Sequence, residues 1–491
     1  MNTIDFIIFL IFTFSVVLFG MSFYRKKTSA EEFTSAGRNL PGWLVGMSIF
    51  ATYVSSISYI GYPGIAFAGN WNAFVFSLSI PIASYFASKY FVPFYRNSNS
   101  VSAYSFLEER FGKWARLYAS ACYLFTQIAR MGSILYLLAV PMYILMGWNI
   151  YVVIVVTGLA IILYSMFGGI KAVIWTDAIQ GFILIGGALL CLGVLVFSMP
   201  EGIGQLFQLA VDAPEGNKFS LGDFDADITT STFWVCLIYG IFTNLQNYGV
   251  DQNYVQRYHT AKSMHDAKFS ALFGGYLYIP VSALFFFIGT ALYAYYTSHP
   301  GMLPEAIQQK PDYVFPYFIV NGLPVGVRGI LIASIFAAGM STIATSITSS
   351  STILYTDYYR PFTKSESEGR HLRVLRIGSV LVGIIGIFVA LAMISVESII
   401  DAWWKLSSIF SGGMLGLFLL GFVTRKVRNV QAGVAVIVGV LVIAWISLGN
   451  ILNLPGIHIH EYLAIVFGTS TIFLVGLIIA HKSYLWFGRK K

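Results

Sequence analysis

Residues 42–70 read GWLVGMSIFATYVSSISYIGYPGIAFAGN. The stretch is long enough to cross a membrane, because a span needs roughly 20 mostly apolar residues. A Ser-Ser-Ile-Ser cluster followed by Gly61, Pro63 and Gly64 interrupts it, and proline lacks the amide donor of a regular helix. Unwound backbone is tolerated in a membrane only where protein or a water-filled cavity satisfies it. The stretch therefore predicts either a kinked structural helix or two half-helices whose free ends bind an ion or a substrate.

The composition of the whole chain is that of a membrane protein. Of 491 residues, 57% are hydrophobic and 11% are charged, whereas a soluble domain carries about 25% charged residues. The apolar residues come in long runs, which favours helices over the short alternating strands of a barrel. Three cysteines lie inside these runs and give no disulfide framework. We therefore predict an all-α polytopic membrane protein.

Thirteen candidate spans follow from the apolar runs. We place them at about residues 4–24, 42–69, 71–93, 117–146, 149–167, 172–198, 231–251, 269–296, 326–356, 375–396, 400–423, 430–449 and 462–480. The first apolar run contains Asp5 and no basic residue precedes it, so we expect a retained helix rather than a cleaved signal peptide.

Lysine and arginine are strongly biased to one side of this arrangement. With the N-terminus outside, and with basic residues near span ends counted with the adjacent loop, 25 of the 30 basic residues lie in cytoplasmic loops or the C-terminal tail, three lie outside, and only Arg130 and Lys405 lie well within spans. This is the distribution of the positive-inside rule. It accounts for the net charge of +8, so a nucleic-acid partner is not needed to explain the basic composition.

A second polar feature lies in the run that follows Phe336. Nine hydroxyl residues fall between Ser341 and Thr352. Ser and Thr pack membrane helices together, which is the structural interpretation. Hydroxyl and carbonyl oxygens are also the ligands that a hard cation such as Na⁺ requires. The sequence leaves both interpretations open.

Two charged residues within the runs are candidate functional groups. Asp177 lies about one turn into its span, where it either caps the helix or serves a functional role. Arg130 lies near a membrane midplane, with Thr126, Gln127 and Ser133 on its helical face. The candidate acidic partners, Asp177 and Asp251, are both placed towards the cytoplasm. Arg130 is therefore expected either in a structural ion pair or, lacking a resident partner, as the group that grips an incoming carboxylate.

The sequence argues against an enzyme. All seven histidines fall outside the span cores, so a metal-binding HExxH on a membrane helix is excluded. The spans hold no paired aspartates for an intramembrane aspartyl mechanism, and the serine-rich helix has no nearby base. No phosphate-cradling loop is present to couple ATP. A secondary transporter is favoured, and an ion channel remains an alternative.

Four segments together resemble the sodium/solute symporter family, and they occur in the family's order. They are GWLVGMSIFATYVSSIS, SAYSFLEERFG, GGIKAVIWTDAIQG and AAGMSTIATSITSSSTILYTDYY. The likeness covers about residues 30–425. Within the family, ARMGSILYL and FATYVSSIS are most similar to bacterial sialic acid symporters.

The resemblance implies a leucine-transporter-like inverted repeat of five plus five helices. One extra helix would occupy residues 1–30, the repeats residues 31–228 and 229–425, and two extra helices with the tail residues 426–491. It also implies a Na⁺-coupled symporter for an acidic solute, by analogy a sialic acid, working by alternating access. We expect a monomer in the bacterial inner membrane, with the N-terminus outside and the C-terminus in the cytoplasm. A neutral sugar or a monocarboxylate is the alternative solute.

The resemblance carries over to particular residues. The family's sodium site would use the carbonyls of Ala51, Val54 and Ala338 and the hydroxyls of Ser341 and Thr342. A second sodium site would use Asp177, Ser341 and Thr345, although Ala344 stands where the family has another hydroxyl.

The solute would bind Arg130, with Ser55 and Ser58 near the helix break. Ser77 stands where the sialic acid relatives have glutamine. Asn244 and Gln246 are further candidate substrate residues.

Overall fold

The structure, a computed structural model, describes residues 2–24, 29–98, 100–363, 367–395, 412–449 and 459–487. Lys405 and the first part of the predicted span 400–423 lie outside these ranges. Within them the secondary structure is helical, apart from one isolated bridge between Leu40 and Ala261.

Among the described residues, nine helices have 18 residues or more. They are α1 (Thr3–Ser22), α9 (Lys113–Met146), α10 (Ile150–Phe197), α12 (Phe233–Val250), α14 (Met264–Ser298), α17 (Val327–Ile353), α18 (Glu368–Met393), α20 (Asn429–Gly449) and α21 (Ala464–Phe487).

Six helices of intermediate length accompany them. They are α3 (Gly42–Tyr53), α4 (Ser56–Ala68), α11 (Ile203–Val211), α13 (Gln252–Thr260), α16 (Pro311–Asn321) and α19 (Gly412–Val423). The shortest are α2 (Ala30–Ser35), α5 (Val75–Leu78), α6 (Ile80–Phe86), α7 (Val92–Arg96), α8 (Ser105–Phe111) and α15 (Glu305–Gln308). Turns of π-helix follow α6 and α17.

By length and hydropathy, the described residues contain nine candidate membrane spans, or ten if the bent pair α3 and α4 counts as one. This is fewer than the thirteen predicted. The 48-residue helix α10 counts once, although a straight helix of that length would measure about 72 Å, more than twice the hydrocarbon thickness. Helix α12 has the length but carries a polar segment from Thr243 to Asn247, and α19 begins at the edge of an undescribed range.

Helix α10 consists of two helices that meet at Gly169. This glycine has φ +56° and ψ −158°, a conformation that residues with a Cβ rarely adopt. A Cβ there would also lie 2.7 Å from the carbonyl oxygen of Phe33. The two halves correspond to the predicted elements 149–167 and 172–198.

The hydroxyl-rich helix α17 lies at the centre of the bundle. Every residue from Leu331 to Ile353 is buried. Helices α1, α3, α9, α10, α13 and α18 all pack against it. A helix whose whole circumference is buried has no lipid-facing side, and the hydroxyls of Ser341, Thr342 and Ser346 bond groups on neighbouring helices.

Polar contacts at the helix ends set the directions of neighbouring helices. The buried carboxylate of Asp5 accepts from the amides of Gly326 (2.7 Å) and Gly329 (3.1 Å), which makes α1 parallel to α17 and caps the start of α17. At the opposite face, Arg116 at the start of α9 pairs with Asp357 beyond the end of α17 at 2.7 Å. These relative directions agree with the predicted alternation of spans.

His259, at the end of α13, lies in a buried basic corner. Neither ring nitrogen has a hydrogen-bond partner among the described residues. Arg96 donates to the carbonyls of His259 (3.3 Å) and Ala261 (2.7 Å). Burial, and then the charges of Arg38 and Arg96, lower the pKa of His259 to about 3. The folded protein therefore holds a neutral imidazole there.

We expect this histidine to make the protein acid-sensitive. The unfolded chain binds a proton at His259 below pH 6.5 and the folded protein does not, so stability is lost as the pH falls below 6.5. The loss reaches about 2 kcal/mol at pH 5. Thermal unfolding at pH 7.5 and pH 5 should show a smaller decrease for His259→Gln than for wild type. His265→Gln, at an exposed position, is the control, and an undiminished decrease in His259→Gln would contradict the prediction.

Candidate ion and substrate site

The break between α3 and α4 is the starting point of the site. Val54 and Ser55 have extended backbone (φ −75°, ψ 119° and φ −117°, ψ 174°), and the two helices are bent by 53°. The stretch thus forms two half-helices, with the break at the serine cluster, whereas Gly61, Pro63 and Gly64 lie inside α4; binding of an ion or a substrate at the free ends stays a prediction. The last carbonyls of α3 lack the intrahelical partners of a continuous helix, and so they are available to cations and donors.

Arg130 reaches this break from α9. Its Nη2 donates to the carbonyl oxygen of Thr52 at 3.2 Å. A guanidinium at a helix C-terminus interacts favourably with the negative end of the helix dipole. One contact uses one of the five donors that a guanidinium carries, so the group has capacity for a bidentate carboxylate.

The residues predicted for the first sodium site converge from α3 and α17. Thr342 Oγ1 lies 3.4 Å from the carbonyl oxygen of Val54 and 3.1 Å from that of Ala338. Ala51 is buried on the same half-helix. The structure thus brings together a carbonyl from α3 with a carbonyl and a hydroxyl from α17. These neutral oxygens are the ligand type that fits Na⁺.

Asp177 is buried at the centre of a polar cluster. Its carboxylate accepts from Ser48 Oγ (2.5 Å) and Ser341 Oγ (2.7 Å) and pairs with Arg257 Nη2 at 2.8 Å. Both side chains of the ion pair are fully buried. The interpretation of Asp177 as a helix cap is wrong, because its partners come from three other helices, α3, α17 and α13.

Arg257 is the main residue that the sequence interpretation misplaced. It was counted among the cytoplasmic loop residues, yet it is fully buried on α13. It donates to Asp177, to Ser48 Oγ (2.8 Å) and to Thr345 Oγ1 (2.6 Å). Charge counting missed it because it assigns every residue between spans to solvent. The polar spacing in QNYVQRYHT, with residues four apart on one helical face, is the signal that could have found it.

The second predicted sodium site is therefore built around an arginine. Ser341 and Thr345 both lie in the Asp177 cluster, as expected, and Ala344 is buried beside them. However, Arg257 already donates to Asp177 and to Thr345. The cluster thus contains its own positive charge.

The remaining predicted substrate residues fall into two groups. Some bond neighbouring helices, and the others lie at the break between α3 and α4. Ser77 bonds Ser282 (2.7 Å) on α14. Asn244 accepts from the hydroxyl of Tyr53 and donates to Ser79 Oγ at 2.8 Å. Gln246 is buried, and its Oε1 has no partner among the described residues. Ser55 and Ser58 are buried at the break. Among the described contacts of Arg130, none joins it to these side chains.

A group of tyrosines around the break was not anticipated. The ring of Tyr53 lies 4.6 Å from that of Tyr278 and 6.2 Å from that of Tyr248, and the hydroxyls of Tyr62 and Tyr278 are 3.0 Å apart. In the sequence they look like ordinary membrane aromatics, since tyrosine is enriched in such proteins. Their position gives the break an apolar wall with polar hydroxyl groups.

The predicted isolation of Arg130 is only partly correct. The ion pairs among the described residues do not include it. Asp251, however, is nearer than its sequence position suggested. Its Oδ2 lies 3.4 Å from Nε2 of Gln127, one turn before Arg130 on α9. The acid lies at the junction of α12 and α13, where the chain turns back into the bundle.

Comparisons with known proteins agree with this architecture. Residues 33–471 match the family described as "Sodium:solute symporter family". The chain is 31% identical to the sodium/sialic acid symporter NanT of Aliivibrio fischeri, over 98% of this chain and 93% of that protein. It is 32% identical to the sodium/sialic acid symporter SiaT of Proteus mirabilis, over 95% and 92%. It is 28% identical to the sodium-coupled monocarboxylate transporter 2 of Mus musculus, over 87% and 68%.

Two solved structures share the fold. A Na⁺-coupled sialic acid symporter in a substrate-bound outward-open state superposes with a TM-score of 0.91 at 30% identity, covering 98% of this chain and 97% of that one. Mhp1, a nucleobase-cation-symport-1 family transporter, superposes with a TM-score of 0.60 at 13% identity, over 94% and 96%. The predicted helical membrane fold of the leucine-transporter type is confirmed at this level.

Proposed function

The chain belongs to the sodium:solute symporter family, and on that premise we propose that it imports an acidic sugar, a sialic acid such as N-acetylneuraminate, together with Na⁺. It is a multi-pass membrane transporter and not an enzyme. Na⁺ and the solute are its co-transported substrates.

The observation that carries the choice of an acidic solute is Arg130. Its guanidinium lies at the break between the two half-helices and makes one described contact, to a backbone carbonyl. Binding of a carboxylate there can be bidentate, and arginine is suited to that geometry. The likeness to two sodium/sialic acid symporters over more than nine-tenths of the chain supports a sialic acid. A monocarboxylate is the second candidate, because the same guanidinium would serve it and Ser77 stands where the sialic acid relatives have glutamine.

The proposal includes the arrangement predicted from the sequence. Thirteen spans would form two inverted repeats, residues 31–228 and 229–425, with one extra helix before them and two after. The break at Gly169, the direction of α1 relative to α17 and the excess of basic residues on one side support this count. A monomer in the bacterial inner membrane with an external N-terminus completes it.

Coupling would follow from sodium binding near α3 and α17. Carbonyls of Ala51, Val54 and Ala338 with the hydroxyls of Ser341 and Thr342 would hold the ion. Asp177, Ser341 and Thr345 would supply a second position. Each Na⁺ that enters contributes about 2.3 kcal/mol per 100 mV of membrane potential. If Na⁺ binds more tightly to the conformation in which the solute site is complete, it raises the affinity for the solute. The solute then raises the affinity for Na⁺ by the same factor.

Uptake into proteoliposomes tests the proposal. Labelled N-acetylneuraminate, lactate and glucose are each offered with an inward gradient of Na⁺ or of K⁺. Saturable uptake of N-acetylneuraminate that needs Na⁺ is the expected result. Sodium-driven uptake of lactate alone would replace the solute and keep the family mechanism. A non-saturating conductance would favour a channel.

Ser341→Ala should weaken sodium binding. The variant loses a hydroxyl oxygen and the hydrogen bond to Asp177, and loss of about 1.4 kcal/mol raises the half-maximal Na⁺ concentration for uptake about tenfold. Ser334→Ala is the matched control, since Ser334 is fully buried on the same helix and bonds Ile183 and Ile330 instead. An unchanged sodium dependence would remove Ser341 from the ligand set.

A further inference from the structure

Four charged side chains connect the substrate arginine to the sodium region. Arg130 and Arg257 are positive, and Asp251 and Asp177 are negative. Asp251 is 6% exposed, and Arg257 and Asp177 are fully buried. Asp251 contacts Gln127, one turn before Arg130, and Asn253, whose carbonyl accepts from Arg257, while Arg257 pairs directly with Asp177 at 2.8 Å. The two acids and two bases balance in formal charge, and Asp251 lies between the two bases along the chain of contacts.

One continuous chain of hydrogen bonds runs through Asp251. Gln127 Nε2 lies 3.4 Å from Asp251 Oδ2, one turn before Arg130 on α9. Asp251 Oδ1 accepts from the amide of Asn253 at 2.7 Å, and the carbonyl of Asn253 accepts from Arg257 Nη1 at 2.7 Å. Asp251 and Arg257 are thus connected through a single residue, Asn253.

A second chain bypasses Asp251. Arg130 donates to the carbonyl of Thr52, whose Oγ1 lies 3.4 Å from Thr345 Oγ1. Thr345 Oγ1 accepts from Arg257 Nη2 at 2.6 Å. The two chains meet at Arg257, which in turn holds Asp177. Arg130 and Asp177 therefore lie in one buried network, although they lie on different helices.

We infer that Asp251 is a coupling residue, which links solute binding at Arg130 to cation binding at Asp177 by dividing its charge between Arg130 and Arg257. The inference rests on the proposed function, because it takes Arg130 as the solute site and Asp177 as part of a sodium site. It concerns a residue that touches neither substrate.

The direction of the coupling follows from electrostatics. Before the solute binds, Asp251 partly neutralises Arg130 and leaves Arg257 dependent on Asp177. A solute carboxylate neutralises Arg130 in its place, so Asp251 becomes free to neutralise Arg257. Because Asp251 then partly neutralises Arg257, the attraction between Arg257 and Asp177 is weaker, and the Asp177 carboxylate can bind a cation. Because the linkage is reciprocal, a cation at Asp177 favours the same arrangement and strengthens solute binding.

The position of Asp251 is held from the α9 side as well. Gln127 is 1% exposed, and its Oε1 accepts from Ser346 Oγ at 2.7 Å. The amide group of Gln127 is therefore fixed between α17 and Asp251. This arrangement keeps the acid near Arg130 without a direct ion pair, which is the condition for an acid that a solute can displace.

Sodium titration without any solute tests the inference. Na⁺ that binds only the folded protein raises its melting temperature, and the Na⁺ concentration for half the maximal rise is measured against K⁺ at constant ionic strength. In Asp251→Asn, Arg257 depends on Asp177 alone, so we expect this concentration to rise about fivefold or more. A value within twofold of wild type would overturn the inference.

The matched control is Asp357→Asn. Asp357 is an equally buried acid that pairs with an arginine, Arg116, at 2.7 Å, and it lies outside the network. Its variant should lose stability and keep the sodium concentration of wild type. If Asp251→Asn does not fold, Gln127→Met removes the contact to Asp251 while all four charges stay. Because it releases Asp251 from the Arg130 side towards Arg257, it should lower the same sodium concentration about twofold or more, and no change or a rise would overturn the inference equally.

Solute binding gives the second readout. The affinity for N-acetylneuraminate is measured with and without Na⁺, and the ratio of the two is the coupling factor. Asp251→Asn should reduce the ratio to near one while it keeps or strengthens binding without Na⁺, which a merely structural role would not do. A ratio equal to that of wild type would contradict the inference. If Na⁺ changes neither the melting temperature of the wild-type protein nor its affinity for the solute, the proposed function itself is contradicted.

Discussion

Arg130→Lys should reduce sodium-driven uptake of N-acetylneuraminate about 10- to 100-fold, because it removes one of two hydrogen bonds to the solute carboxylate, and a hydrogen bond to a charged group is worth about 1.5–3 kcal/mol. The lysine keeps the charge but is a single point donor. It cannot present the two parallel donors that match a carboxylate, and it must still satisfy the carbonyl of Thr52, which Arg130 contacts at 3.2 Å.

The comparison must separate transport from folding. Initial rates are measured in proteoliposomes with equal amounts of reconstituted protein, and melting temperatures are measured in parallel. Arg373→Lys, the same substitution at an exposed position of α18, should transport like wild type. Near-normal uptake by Arg130→Lys would remove Arg130 from the solute site and favour a neutral sugar as the solute.

Asp177→Asn and Arg257→Gln should each destabilise the protein by about 3–5 kcal/mol, because each leaves the partner's charge buried without compensation. Both side chains are fully excluded from solvent, and Arg257 Nη2 lies 2.8 Å from Asp177 Oδ2. Water therefore cannot substitute for the missing partner. The double variant Asp177→Asn/Arg257→Gln buries no unpaired charge from this pair and should recover a large part of the loss.

A double-mutant cycle measures this coupling. Melting temperatures of wild type, the two single variants and the double variant are determined in one detergent, with Asp223→Asn in the exposed outer loop as the control. The sum of the decreases in melting temperature of the two single variants should exceed the decrease of the double variant. Additive effects would show that Asp177 and Arg257 do not stabilise one another, in conflict with the contact in the structure.

Much of the fold could be predicted because the membrane imposes strong local rules. The helices and their breaks depend on signals that involve only a few neighbouring residues. These signals are the apolar runs of about 20 residues, the serines before Pro63, and Gly169, which adopts a positive φ in the structure. The predicted elements at 149–167 and 172–198 and the broken element at 42–69 correspond to helices that end and begin near those bounds. The excess of basic residues on one side follows equally from local composition.

The candidate site was predicted less completely, and the errors share one cause. Charge counting places Arg257 in a cytoplasmic loop, and the span bounds place Asp251 at the cytoplasmic end of its span, away from Arg130. The structure buries both, because α13 turns back against α3 and α17. Asp177 was recognised as an anomaly, but its partner could not be named. Nothing in the sequence near Asp177 indicates a residue 80 positions further along the chain.

The sequence by itself determined that the chain is a helical membrane protein, where its first core helix is broken, and that Arg130, Asp177 and the hydroxyls of α17 are its unusual polar groups. These properties follow from hydrophobicity and backbone preference, which are local. Only the tertiary structure decided which of these groups meet. A buried charge requires a partner at hydrogen-bonding distance, and whether that partner is Arg257 or an incoming ion depends on how α3, α10, α13 and α17 pack.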